Sequence, residues 1–359
     1  MRDDSGIGAG VVSRRPAETF RDLAGISVYT TCPASNGDEG HAYLEKVRRI
    51  SRWSDDAGCL GTLVYSDNSL LDPWIVAHEI LTTTRRLAPL VAVQPLYMHP
   101  FTVAKAVASF AHLFERRVAL NFVAGGFPFD LIALGDKLDH DRRYDRLAEY
   151  GRLVVDLLRG SEPITAAGEF YDVRRLRLGP LPRPELMPLV MVSGSSRAGQ
   201  RCAEKIGAIA VEYPRPNGGG RGSASARSGN AGLSRRGIRV GVLARESRAA
   251  AWAEATARFP DDPSGRQQHD DILASSDSHW HHQLSYESDA ETIDGVYWLG
   301  PYKTHKTFCP YLVGSHADVG HYLRRYLRAG HHHVILDKPR SRDDLMHILR
   351  AFEFALNDE

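Results

Sequence analysis

The strongest constraint on the fold is an alternation along the chain. Short runs dense in Val, Ile and Leu are each followed by a longer stretch whose apolar residues recur at helical spacing. Strands without strict apolar/polar alternation are covered on both faces, and a helix between two of them is the crossover that lets them pair in parallel. Eight such runs can be read: Gly25–Thr31, Cys59–Tyr65, Ala88–Gln94, Val118–Ala124, Leu189–Ser193, Ala208–Tyr213, Ile238–Ala244 and His333–Asp337. Helices are expected at Gly40–Ala57, Asp72–Arg86, Thr102–Phe114, Asp141–Arg159, Ala198–Ile206, Glu246–Arg258, Ala317–Ala329 and Ser341–Leu356. Eight β-then-α units predict an α/β chain folded as a (β/α)8 TIM barrel. No G-x-G-x-x-G follows the first run, which argues against a dinucleotide-binding open sheet.

A chain of 359 residues suits one such barrel with insertions. Residues 1–18 read as a disordered, polar extension and 19–359 as the barrel domain. Asn217–Gly237, rich in Gly, Ser and Arg, reads as a flexible loop. Phe259–Leu299 is the longest insertion, polar and between the seventh and eighth strands, where a lid would be built. Lys and Arg total 45 against 44 Asp and Glu, so no field of either sign draws in nucleic acid or a membrane surface, and a small-molecule substrate is expected. With no apolar run near the roughly 20 residues that span a bilayer and no signal-peptide core, a cytoplasmic location is expected. The four cysteines are scattered and the His clusters (His279–His282, His331–His333) lack partners at ligand spacing, so no metal site is expected.

A barrel of this kind carries its chemistry at the C-terminal ends of its strands. There the sequence offers Asp67 after the second run, Asn121 in the fourth, Gly194–Ser195–Ser196 after the fifth and Tyr213 after the sixth. A strand that ends in Ser-Gly-Ser-Ser just before a helix puts hydroxyls and unpaired N–H groups where a phosphate would bind. The alternative is that Ser195 or Ser196 merely caps the helix.

The ordered segments LNFVAGG (Leu120–Gly126), LGDKLDHDRRY (Leu134–Tyr144), Glu149–Tyr150 and SGSSRAG (Ser193–Gly199), with His99–Pro100 upstream, resemble those of bacterial-luciferase-like flavin monooxygenases, especially the alkanesulfonate monooxygenase branch. The resemblance covers about Val28 to Lys338. It implies reduced FMN supplied by a separate NAD(P)H-dependent flavin reductase, O2 as co-substrate, a peroxyflavin that delivers one oxygen atom, and a homodimer or homotetramer. It also implies a flavin site built from Asn121, His140, Tyr144, Ser195 and Ser196, to which Asp67 and Gly194 are added as neighbours on the strand ends.

The substrate side departs from that branch. Arg239 keeps a strand-seven Arg, but Gly241 stands where those enzymes have His. Lys303–Thr307 replaces their Gly-rich loop, and Lys338 replaces a Tyr. Arg239, His305 and Lys306 are the expected catalytic groups, and Arg239, Lys338 and Tyr213 the expected substrate contacts, a cationic rim for an anionic molecule. Two other readings use the same fold: an F420-dependent oxidoreductase, and a flavin-binding protein without catalysis.

Overall fold

In the computed structural model, residues 17–37, 40–160, 162–216, 235–275, 282, 284–285 and 291–357 are described. Eight parallel strands close a barrel: β1 (Ser27–Thr31), β2 (Gly61–Val64), β3 (Ala88–Val93), β4 (Ala119–Phe122), β7 (Val190–Ser193), β8 (Ile209–Glu212), β9 (Arg236–Arg245) and β13 (His331–Leu336). Closure is made by β9, whose first half pairs with β8 on one side and β13 on the other. Helices α1 (Gly40–Asp56), α2 (Pro73–Thr83), α3 (Pro100–Phe114), α4 (Pro128–Ala133), α5 (His140–Arg159), α6 (Arg197–Ile206), α7 (Arg248–Arg258) and α8 (Pro263–Ser275) follow in turn. Two more, His316–Arg328 and Arg342–Leu356, flank β13. This is the (β/α)8 barrel expected, and each of the eight strands falls within or overlaps its predicted run.

Two parts differ from expectation. An antiparallel hairpin of β5 (Ile164–Ala167) and β6 (Asp172–Leu176) follows α5. Between β9 and β13 the short strands β10 (Thr292–Ile293) and β11 (Tyr297–Trp298) lead into β12 (Tyr311–Ser315), which pairs in parallel with the second half of β9. The expected loop 217–237 lies outside the described residues from 217 to 234. Its last two residues, Arg236 and Gly237, already belong to β9, paired with His331 and His333. Of the expected extension, 1–16 also lies outside. Ala17 and Glu18 do not belong to it, since Ala17 N bonds Glu353 Oε1 at 2.5 Å and Glu18 N bonds Asp22 Oδ2 at 3.0 Å. Among the described residues no helix is long and apolar enough to cross a membrane.

The barrel interior explains where a ligand can sit. Its floor is an apolar plug of inward side chains, including Tyr29, Leu63, Leu90, Met191, Ile209 and Ile335. Side chains alternate faces along a strand, so the residue two further on points inward as well. That next layer is mostly polar, with Thr31, Tyr65, Asn121, Ser193, Arg239 and Asp337 beside the apolar Ala92 and Val211, and Tyr213 stands one step higher. The strand-to-helix crossovers bury the outer faces in two larger clusters.

Candidate active site

A cavity of about 610 Å³ lies over the polar layer, at the C-terminal ends of the strands. It is lined by Asp67, Asn121, His140, Tyr144, Gly194, Ser196, Tyr213, Arg239, His305 and Lys338 among the residues expected from sequence. Ser195 and Lys306 do not line it.

Arg239 reaches into the cavity from β9. Its side chain is 12% exposed and sits against an Asp337 carboxylate that is fully buried. Nη2 donates to Asp337 Oδ1 at 2.5 Å and to the Tyr65 hydroxyl at 2.8 Å, Nε donates to Asp337 Oδ1 at 3.1 Å, and the Tyr311 hydroxyl donates to Oδ2 at 3.3 Å. Burial alone would raise the pKa of Asp337, but the neighbouring guanidinium outweighs it and holds the carboxyl below the usual range. The charge of Arg239 is therefore matched inside the protein, and only Nη1 has no partner among the described residues. Asp337 and Tyr311 were not singled out from sequence. The available signal was that an arginine in an apolar strand requires a buried carboxylate, and Asp337 ends the adjacent strand.

Tyr311 also explains Gly241. A Cβ at that position would run into the Tyr311 ring, so β9 cannot carry the larger side chain found there in sulfonate enzymes.

The turn from β7 into α6 separates the two serines. Ser196 is the helix cap: its Oγ accepts from Gly199 N at 3.1 Å. The Ser195 hydroxyl is buried with no hydrogen-bond partner among the described residues. Gly194 packs so closely under Tyr144 that a Cβ would strike the phenol oxygen. Tyr144 in turn donates to Ser193 O at 3.3 Å, and Ser193 Oγ donates to Asn121 Oδ1 at 2.8 Å. His140 opens α5, with its ring 5.1 Å from that of Tyr144 and Nδ1 bonded to Asp141 at 2.8 Å.

Much of the LGDKLDHDRRY segment is scaffold for this wall. Asp136 accepts from Arg146 Nη2 at 2.7 Å, and Arg143 Nη1 donates to Leu138 O at 3.0 Å, which fixes the approach to His140. Glu149 accepts backbone N–H bonds from Glu169, Phe170 and Tyr171, so its work is to hold the β5–β6 hairpin.

At the mouth, His305 and Lys338 are both in left-handed backbone conformation, with φ of 54° and 45°. Lys338 Nζ donates to Lys306 O at 2.9 Å and forms no ion pair among the described residues. Burial, then the charges of Lys338 and Lys306, hold His305 below the ordinary histidine value. Lys306 itself is turned away, its ammonium on Asp262. Burial pushes Tyr213 up to about 12. From the expected insertion, α8 contributes Ile272 to the cavity wall. His279–His281 lie outside the described residues.

The donor set fits a phosphate-bearing ring cofactor. A buried hydroxyl with no partner among the described residues, a close-packed glycine and the N-terminus of a ten-residue helix lie together beside the cavity.

The sequence profile of the luciferase-like monooxygenases matches residues 25–333. The monooxygenase BtrO of Niallia circulans, named for its substrate 4-(gamma-L-glutamylamino)butanoyl-BtrI acyl-carrier protein, is 34% identical over 336 residues, which cover 92% of this chain and 98% of BtrO. Among solved structures, the long-chain alkane monooxygenase LadA superposes with a TM-score of 0.66 at 15% identity, covering 91% of this chain and 90% of LadA. An F420-dependent secondary alcohol dehydrogenase superposes with a TM-score of 0.63 at 14% identity, covering 93% of this chain and 99% of that protein. At such identities the two structures speak for the fold alone. The match is to the family as a whole and does not assign the chain to the alkanesulfonate branch. By the extent of the profile match and the near full-length relative, the chain belongs to the luciferase-like monooxygenase family of flavin-dependent enzymes.

Proposed function

We propose that the chain is the oxygenase of a two-component system: it takes reduced FMN from a separate NAD(P)H-dependent reductase and inserts one atom of O2 into an organic substrate that carries an anionic group. The observation that carries this reading is the partnerless buried hydroxyl of Ser195 at the start of α6, next to Gly194 and Tyr144. A hydroxyl buried without a partner costs about 1–3 kcal/mol, and a bound phosphate oxygen would recover it. Ser195, Ser196, the α6 N-terminus, His140 and Tyr144 would hold the ribityl phosphate, with Asn121, Asp67 and the Gly194 backbone toward the ring system. Bound there, reduced FMN supplies the activation of O2, which no amino-acid side chain provides.

The side chains position and desolvate. The apolar plug closes the barrel beneath the polar layer, and Ile272 with Phe308 forms an apolar wall that keeps water from the reacting centre. We assign α8 the role of lid on this ground. Lys338 and His305 orient the anionic group, and Arg239 assists through Nη1. His305, held neutral near pH 7, can accept a proton from the substrate. Tyr213 is the remaining substrate contact. No dinucleotide fingerprint follows the first strand, which supports a reductase on a separate chain, both acting in the cytoplasm. Exposed Ile75 and Leu113 would be covered in a homodimer or homotetramer. The name of the BtrO relative supports an acyl chain tethered to a carrier protein as the substrate form.

The test is oxygen uptake with FMN, NADH, a flavin reductase and a panel of anionic acyl amides and acyl thioesters. Substrate-dependent oxygen use with little hydrogen peroxide supports the reading. Bound flavin with no substrate-dependent uptake favours a non-catalytic flavoprotein. An F420-dependent dehydrogenase of the same fold makes F420 the rival cofactor.

A further inference from the structure

Beside the main cavity is a second one of about 380 Å³, walled by the loops that follow β2 and β3. The two abut, with Ser66, Asp67, Leu70, Ala92 and Gln94 common to both walls. No Lys, Arg or His lines the side pocket, whereas Asp67 and Asp72 do. Asp130 stands next to it, within 3.4 Å of Asn68 N. None of these three carboxylates has a cationic partner among the described residues. Each wall carboxylate spends only Oδ1 on its own loop. Asp67 Oδ1 accepts from Ser69 N and Oγ at 2.8 and 2.7 Å, and Asp72 Oδ1 accepts from Trp74 N at 2.8 Å. Both Oδ2 atoms are uncommitted.

Three further features bear on the occupant. Gln94 is 6% exposed, and its Nε2 has no hydrogen-bond partner. Trp74 and Tyr97 supply aromatic walls, and the Tyr97 hydroxyl is already committed to Asn68 Oδ1 at 2.7 Å. The Tyr97 phenol is pushed up to about 12, by burial first and then by Asp130 and Asp67, which marks the negative field in the pocket. A carboxylate or phosphate would be repelled here. A purely apolar tail would desolvate Asp67 and leave the Gln94 donor unmet. A protonated amine satisfies the carboxylates and the aromatic faces together, because –NH3⁺ offers three donors and a charge that favours a ring face.

We propose that this side pocket is a subsite for a primary ammonium group at the far end of the substrate, with Asp67 and Asp72 as acceptors, Trp74 as the aromatic wall and Gln94 Nε2 donating to a neighbouring carbonyl. The inference deepens the oxygenase reading, since it takes the main cavity to hold the rest of the substrate. Together with Lys338 and His305 it gives the site an acidic end and a basic end, suited to a substrate that carries both charges.

Two amides that differ only in –NH3⁺ against –CH3, N-butyl-4-aminobutanamide and N-butylpentanamide, test it by calorimetric titration of the FMN-loaded full chain. The amine should bind at least ~10-fold more tightly, about 1.4 kcal/mol. Asp67→Asn should bring the ratio near one, with FMN affinity measured separately because Asp67 also lines the flavin cavity. Asp72→Asn, which keeps the Oδ1 cap, should lower the ratio about threefold if Asp67→Asn does not fold. Equal binding of the two amides, or a ratio untouched by both variants, overturns the proposal. If Asp67→Asn weakens FMN binding, Asp72→Asn decides, since Asp72 lines the side pocket and not the main cavity, and a ratio it leaves unchanged overturns the proposal. If FMN does not bind the wild-type chain, the oxygenase reading fails, while the amine preference still decides the subsite on its own.

Discussion

Replacing Asp337 by Asn removes the charge opposite Arg239 and changes almost no volume. The two side chains are 12% and 0% exposed, and Arg239 stays protonated because a guanidinium does not lose its proton near neutral pH. Breaking a buried pair from one side costs about 3–5 kcal/mol, because the remaining charge keeps its desolvation penalty. The Tyr311 hydroxyl also loses its charged acceptor, a bond worth roughly 1.5–3 kcal/mol, part of which is already included in that loss. In urea, with a slope near 3 kcal/mol per molar, the midpoint should fall by about 1 M or more with the slope unchanged. The double variant Arg239→Met with Asp337→Leu should recover most of the loss, since neither charge is then buried. The depressed pKa of Asp337 adds a pH signature. Its contribution is present above about pH 4 and is lost as the pH falls through the lower folded value. The gap between wild type and Asp337→Asn should therefore narrow in acid. A loss under about 1 kcal/mol at pH 7, or a double variant no better than the single, would refute the view that this pair anchors the cavity floor.

Other outcomes follow from the same geometry. Ser195→Ala removes a hydroxyl that is unpaired in the free protein, so thermal unfolding should be unchanged or up to about 1 kcal/mol more favourable to the fold, while reduced-FMN affinity drops about tenfold; equal FMN affinity would take Ser195 out of the site. Gly241→His should not confer sulfonate oxidation and should cost about 2 kcal/mol or more in thermal stability, because its Cβ meets the Tyr311 ring. Lys338→Ala removes a positive neighbour, so the His305 titration seen by NMR should move up toward the ordinary value; an unmoved midpoint would leave burial and Lys306 as the causes.

Periodicity revealed the barrel because each of its strands is covered on both sides and reads as an apolar run. The hairpin β5–β6 escaped because its residues are mostly exposed and its stability comes from Glu149 accepting three distant N–H groups, a tertiary device with no local pattern. Strand β12 escaped because its partner is the far half of β9, which a run of five residues does not announce. At the site, strand-end positions told which residues gather, and all but Ser195 and Lys306 of those expected line the cavity. What sequence could not tell was pairing: that Arg239 is neutralised by Asp337, that Lys306 is spent on Asp262, and that Ser196 rather than Ser195 caps α6. Such facts depend on side chains far apart in the chain and on which of two adjacent hydroxyls turns toward the helix.

The central claim is a cavity built for reduced FMN, and anaerobic titration of the chain with reduced FMN and with reduced F420 tests it most directly. The account predicts saturable, one-to-one binding of reduced FMN that weakens at least tenfold in Gly194→Ala, where the added Cβ displaces Tyr144. Tight F420 binding with none for FMN, or FMN binding indifferent to Gly194→Ala, would contradict it.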